Sequence, residues 1–147
     1  MSEVIPIGAD HAGFELKERL KAELKRLGYE PLDLGTYSAD STDYPDYAHP
    51  VAARIARGEA RRGVLLCGTG QGMATAANRH PGVRAAVAWS PEIARLARSH
   101  NDANVLVLPA RFVSGDQGVE ILKAWLETPF EGGRHERRIR KIDKDEE

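Results

Sequence analysis

Apolar residues fall along the chain in short runs that alternate with stretches of helical period. Val4 to Ile7 is such a run. Leu16, Leu20, Leu24 and Leu27 then recur three or four residues apart, with Lys, Arg and Glu on the opposite face and Gly28 behind them. That pattern predicts a strand, an amphipathic helix and its stop. Tyr29 to Leu34 reads as a second strand, so the chain opens on a β-α-β unit with parallel strands and a right-handed crossover.

Gly35 to Pro45 is polar and turn-rich, which predicts a surface loop ending in Thr42-Asp43-Tyr44-Pro45. A helix follows over roughly Tyr47 to Arg57, stopped by Gly58. The apolar run Gly63 to Leu66 ends at Cys67, three alternate glycines (Gly68, Gly70, Gly72) follow, and Met73 to Asn78 is Ala-rich and helical. Arg79 to Gly82 makes a turn before a fourth strand, Val83 to Ala88. Ser90-Pro91-Glu92 opens a helix with a serine cap, proline in the first position and an acid in the first turn. That helix is expected to run to about Ser99 and to release His100-Asn101-Asp102 just past its end. Asn104 to Leu108 is a fifth strand with Arg111 in the loop behind it, and Ser114 to Leu126 is a further helix. Gly132-Gly133 breaks the chain before a strongly charged last helix carrying Arg134 and Arg138.

Strands alternating with helices of this length predict an α/β protein: a Rossmann-like, doubly wound five-stranded parallel sheet in an α/β/α sandwich. A C-terminal helical arm, about residues 131–147, follows it. No internal repeat or linker divides the chain, so residues 1–147 are expected to form a single domain.

Composition narrows the function. The 147 residues carry a formal net charge of -1, which gives no reason to expect a nucleic-acid partner. No apolar run reaches bilayer length and the start of the chain has no leader pattern, so neither membrane association nor secretion is expected, and the cytoplasm is the default compartment. One cysteine permits no internal disulfide.

In a doubly wound sheet, ligands bind outside the carboxyl ends of the strands. Asp10 and His11 fall there after the first strand, Cys67 and Thr69 after the third, and Arg111 after the fifth. Backbone N–H groups at a helix start are unpaired and the aligned peptide dipoles favour negative charge. A thiol at that junction is therefore favoured as its thiolate; the competing reading of Cys67 is a small buried strand residue. The glycines are spaced G-x-G-x-G, not G-x-G-x-x-G, and the next strand ends at Trp89 with no acid to hold a ribose, which argues against nicotinamide or flavin binding. No Walker pattern is present. His11, His49, His80, His100 and His135 include no H-x-x-x-H or H-E-x-x-H pair, so no metal site is expected. His49 and His80 read as solvent-facing or turn residues, whereas His11 and His100 stand beside other polar groups at element boundaries. Arg134 and Arg138, four apart, share a helix face and can close on one anion or form an ordinary solvated basic face.

Gly8-Ala9-Asp10-His11-Ala12-Gly13, Thr42-Asp43-Tyr44-Pro45, Cys67-Gly68-Thr69-Gly70-Gln71-Gly72, His100-Asn101-Asp102 and Glu131-Gly132-Gly133-Arg134-His135, in this order over nearly the full chain, resemble the ribose/galactose sugar-phosphate isomerase family. The resemblance is to its type B ribose-5-phosphate isomerases. It implies an aldose-ketose isomerase of the pentose phosphate pathway that needs no metal or cofactor and acts as a dimer or tetramer with sites at subunit interfaces. It implies Cys67 as the base at C1 and C2, with Thr69 and the glycine-turn N–H groups of Gly68, Gly70 and Gly72 stabilising the enediolate. Asp10 and His100 are implied in ring opening, Tyr44 and Asn101 in holding the sugar, and His11, Arg111, Arg134 and Arg138 in holding the phosphate. One subgroup of the family replaces the cysteine with a glutamate inside the turn; the corresponding residue here resembles Met73, which places this chain with the cysteine type. Ribose 5-phosphate is the expected substrate. The alternatives are a hexose 6-phosphate (allose or galactose) and a non-catalytic sugar-phosphate-sensing module.

Overall fold

The computed structural model describes residues 2–143, so the last four residues of the expected arm lie outside the described part. Strand β1 (Val4–Ala9) leads through a short 3-10 turn, His11–Gly13, into helix α1 (Phe14–Arg26). There follow β2 (Glu30–Asp33), α2 (Pro45–Ala56), β3 (Gly63–Cys67), α3 (Gln71–Ala77), β4 (Ala85–Val87), α4 (Pro91–Asn101), β5 (Val105–Pro109), α5 (Gly115–Glu127) and α6 (Arg134–Ile139). The five strands form one sheet in the order β2-β1-β3-β5-β4, and every pairing is parallel. The expected doubly wound sheet is therefore present.

Helices cover both faces. Leu16, Leu20 and Leu24 of α1 pack with Ala94 of α4 and Ile121, Leu122 and Trp125 of α5 against Ile5, Ile7, Val64, Leu66, Leu106 and Leu108. On the other face Val51, Ala52 and Ile55 of α2 and Met73 and Ala77 of α3 pack against Leu65, Cys67, Val105 and Val107. Strand alternation sends Leu66 to one face and Cys67 to the other. The continuous burial of β3 and β5 is what strands covered on both faces require. The chain leaves β1 toward the β2 edge and leaves β3 toward the β4 edge, which opens a crevice at the carboxyl ends of these two neighbours.

Several boundaries differ from the sequence expectation. Helix α2 starts at Pro45, whose fixed φ suits the first helical position. Helix α3 starts at Gln71 because Gly70 turns the chain with φ 81°. Helix α4 runs through His100 to Asn101 and does not stop at Ser99. No glycine marks its end; Asp102 takes the left-handed conformation, φ 46°, and Arg98 Nη1 donates to Asp102 Oδ1 and to the Ala103 carbonyl, both at 2.8 Å.

Candidate active site

Two groups of the expected site residues gather at opposite edges of the sheet. The first occupies the crevice. Asp10 follows β1 and is 7% exposed; its Oδ1 accepts from the N–H groups of Ala12 at 2.9 Å and Gly13 at 3.3 Å, and its own N–H donates to the Leu66 carbonyl at 3.2 Å. The carboxylate is thereby pinned beside β3 through Oδ1. Cys67, 5% exposed, closes β3 and turns toward the α2–α3 face with Met73 in the same apolar cluster.

The glycine turn lies directly behind the thiol. Thr69 Oγ1 accepts from the Gln71 N–H at 3.2 Å, so the hydroxyl proton remains free to donate. The other first-turn N–H groups of α3, on Gly72 and Met73, have no acceptor within the helix. Two long side chains close over the turn. A Cβ on Gly72 would lie 2.6 Å from the Tyr44 ring, and one on Gly68 would lie 2.9 Å from Arg111 Nη1. Only glycine lets Tyr44 approach so closely. Arg111 is also tied to the turn by its N–H, which donates to the Gly68 carbonyl at 3.0 Å.

His11 is oriented from the loop before α2: the Thr42 N–H donates to His11 Nδ1 at 3.2 Å. A ring nitrogen that accepts a backbone N–H cannot carry the proton of the neutral ring, so Nε2 carries it and is the ring's donor.

The second group sits at the amino edge. His100 and Asn101 lie in the last turn of α4, which runs back from the carboxyl edge and ends beside the start of β5. Arg84, just ahead of β4, donates to the Asn101 carbonyl at 3.1 Å, which fixes that turn at the amino edge. His100 stacks on His135 of α6, with ring centroids 4.3 Å apart and planes 14° from parallel. His100, Asn101, His135 and Arg138 line a cavity of about 350 Å³. Arg134 opens the same helix. The length of β5, five residues at about 3.3 Å each, separates this group from Cys67 by roughly 16 Å. Within one chain the structure thus unites Asp10, His11, Tyr44, Cys67, Thr69 and Arg111 but not these with His100, Asn101, Arg134 and Arg138.

His135 carries features that its motif position alone did not reveal. It is buried, and its Nε2 has no hydrogen-bond partner among the described residues. Burial, then the charges of His100 and Arg134, holds it below the ordinary histidine range. Thr42 was legible only as part of a motif, because its role is carried by a backbone N–H. His49 and His80, expected as solvent-facing or turn residues, lie at the surface and hydrogen-bond each other, Nδ1 to Nε2, at 2.8 Å.

A thiol, a glycine turn, an arginine and a histidine gathered at the switch crevice of a parallel sheet place the chain in the α/β class of small-ligand proteins. They do not define a dinucleotide-binding protein. The chain belongs to the Ribose/Galactose Isomerase family, which it matches over residues 5–142. It is 46% identical over 138 residues to ribose-5-phosphate isomerase B of Escherichia coli, covering 94% of this chain and 93% of that one. The solved structure of a ribose 5-phosphate isomerase from Thermotoga maritima superposes with a TM-score of 0.94 at 56% identity, covering 97% of this chain and 99% of that one. That of ribose-5-phosphate isomerase B from Mycoplasma genitalium with bound ribulose-5-phosphate gives 0.93 at 43%, covering 97% and 95%.

Proposed function

We propose that this protein interconverts ribose 5-phosphate and ribulose 5-phosphate with Cys67 as the base. The observation that carries the reading is the placement of Cys67 at the end of β3, directly before the glycine turn, with Tyr44 and Arg111 closed over that turn. The relative from Mycoplasma genitalium was solved with ribulose-5-phosphate bound, in agreement with this substrate.

The phosphate is held by His11 through its Nε2 proton and by Arg111, with Arg134 and Arg138 adding charge-assisted contacts. Anchoring that end keeps the reacting carbons in place. Asp10 and His100 move the protons that open the furanose ring, and Tyr44 and Asn101 hold the hydroxyls of the open chain. Cys67 Sγ then takes the C2 proton, and the electron pair passes to the C1 oxygen to form an enediolate. Thr69 and the N–H groups of the turn meet the developing oxyanion. The proton returns at C1 while that of the C2 hydroxyl passes to O1, which leaves the C2 ketone.

His100, Asn101, Arg134 and Arg138 reach this substrate only if a second copy supplies them, because in their own chain they lie a sheet's length away. We therefore read the working enzyme as a homodimer, or a homotetramer built as a dimer of dimers, with each site shared. A coupled assay on ribose 5-phosphate and allose 6-phosphate tests the reading. Turnover of the pentose is expected; preference for the hexose, or turnover of neither, overturns it.

A further inference from the structure

We propose that the amino edge of the sheet carries a second anion site, one that takes a diphosphate group, and that its occupation slows the isomerase by unlatching the end of α4. The site stands on its own geometry; the effect on turnover rests on the reading of His100 and Asn101 as residues that act on the sugar.

A cavity of about 320 Å³ opens where the chain enters β3, β4 and β5, and Arg61, Arg62, Arg84, Arg98, Asp102 and Asn104 line it. It shares no lining residue with the cavity of His100 and Arg138. Arg62 is matched: its Nε and Nη2 donate to the two Glu3 oxygens at 3.0 and 2.7 Å. Arg61, Arg84 and Arg98 then face a single lining carboxylate, that of Asp102, so two guanidinium charges stand uncompensated in one concavity among the described residues. A cleft lined by one sign of charge concentrates ions of the other, and a guanidinium fork matches phosphate oxygens as well as a carboxylate.

Asp102 is an internal stand-in for that ligand. Its Oδ1 accepts from Arg98 Nη1 at 2.8 Å, and its Oδ2 faces Arg84 Nη2 at a long 3.4 Å. Two forks therefore already converge on one anion, and only one grips it closely. Backbone carbonyls fix both forks. Arg98, 8% exposed, donates from Nε to the Thr128 carbonyl and from Nη1 to the Ala103 carbonyl, and its Nη2 has no acceptor among the described residues. Arg84 donates from Nε to the Asn101 and Asp102 carbonyls at 3.1 and 3.0 Å, and both of its Nη atoms make only contacts of 3.4 Å. These outer N–H groups are left for a ligand, with the exposed Arg61 closing from the β3 side. The cavity is far larger than a carboxylate, and its uncompensated double charge suits phosphate groups, each of which carries about -1.5 to -2 near pH 7.

The residues just before Asp102 are His100 and Asn101. Asp102 ends α4 in a left-handed conformation, φ 46°, which residues with a side chain adopt rarely; its bonds to Arg98 and Arg84 keep it there. A diphosphate that takes the outer N–H groups of both arginines competes with the Asp102 carboxylate and frees the turn that carries His100 and Asn101. Turnover falls, while His11 and Arg111 still hold the substrate phosphate.

The test is calorimetric titration of the full chain with inorganic pyrophosphate, and separately with ADP, at low ionic strength and without divalent cations. Saturating ribose 5-phosphate is present to fill the phosphate contacts of the active site. One anion per chain is expected, and the tighter of the two probes identifies a free or a nucleoside-borne diphosphate as the source. Arg61→Ala is expected to weaken binding by about tenfold, the low end for losing a charge-assisted contact. Asp102→Asn is expected to tighten it, because asparagine keeps the left-handed turn and gives up the competing charge. In steady-state kinetics pyrophosphate is expected to lower wild-type kcat with little change in KM, and Arg61→Ala, itself as active as wild type, to resist it. Absence of binding of both probes, or binding unchanged in Arg61→Ala, overturns the site. Binding that leaves kcat unchanged, or that only raises KM, overturns the coupling. Should the chain fail to turn over ribose 5-phosphate, the same titrations of wild type and the two variants without it still decide the site.

Discussion

Cys67, the base in the proposed reaction, has no substitute in the same turn: Met73 shares its cluster and has no proton to exchange. Replacing Cys67 with Ala or Ser is expected to lower kcat by the roughly 10²–10⁴-fold that a positioned base contributes, while substrate still binds through His11 and the arginines. Steady-state kinetics, with exchange of label from deuterated water at the transferred hydrogen, checks this; a kcat within about tenfold of wild type would move the base elsewhere, with Asp10 next. Arg138→Ala and Arg134→Ala are expected to act mainly on KM and to lower kcat/KM by about 10- to 150-fold, the effect of losing a charge-assisted contact of roughly 1.5–3 kcal/mol. Unaltered kinetics would return both residues to a solvated face. His135 gives a pH prediction. Its folded-state pKa lies below the ordinary value because burial disfavours the charged ring, so at mildly acid pH the unfolded chain binds a proton that the folded chain refuses. The stability it contributes is complete above about pH 6.5 and is lost as pH falls toward the folded-state value. Melting temperature followed across that window should fall less steeply for His135→Asn than for wild type.

At the scale of elements, the helices that matter are held by features of unequal visibility. The leucine period of α1, the Ser90-Pro91 opening of α4 and the capping box in which Ser114 and Gln117 exchange hydrogen bonds are local and legible. The end of α4 is not, because an aspartate in a left-handed conformation replaces a glycine and an arginine from within the helix holds it. The pairing of α1 with β2 is likewise hidden. Lys17 is fully buried on α1 and its Nζ lies 2.6 Å from Asp33 Oδ2, with Lys21 2.7 Å from the same oxygen. Burial pushes the Asp33 carboxyl up, but the hydrogen bonds from Lys17 and Lys21 outweigh it and hold the group below the usual range. Asp33→Asn strands a buried ammonium with only the half-exposed Glu18 as partner. It is expected to cost about 3 kcal/mol, the lower end of the range for breaking a buried pair; urea denaturation at neutral pH measures it, and a loss below about 1 kcal/mol would show the cluster to be surface-like.

For the whole molecule, the separation of the two residue groups makes a sharp demand. If a second copy completes each site, Cys67→Ala and His100→Asn chains, each inactive alone, damage opposite halves. Refolding them together in equal amounts should form mixed dimers, half of the population, that keep one intact site in two, restoring about a quarter of wild-type activity. No recovery on mixing, or a fully active monomer in sedimentation, would refute a shared site. No helix among the described residues is long and apolar enough to cross a membrane.

Read alone, the amino-acid order determined the alternation of five strands with their helices, the parallel sheet, and the place of Cys67, Thr69 and the glycines at the mouth of β3. These follow from hydrophobic period, caps and turn residues, which act over a few neighbours. Even the five motifs that mark the family were legible as motifs. What the order could not express is where the motifs stand relative to one another. Tertiary structure alone decided that Tyr44 and Arg111 close on the glycine turn, that a backbone N–H of Thr42 orients His11, and that His100 meets Glu131 and His135. It also decided that this last group stands at the amino edge of the sheet, away from the thiol. The physical reason is that a helix following a strand carries the chain back across the sheet, so residues close in motif logic are parted by a strand's length, while residues more than thirty positions apart are brought into contact by packing between α4 and α6.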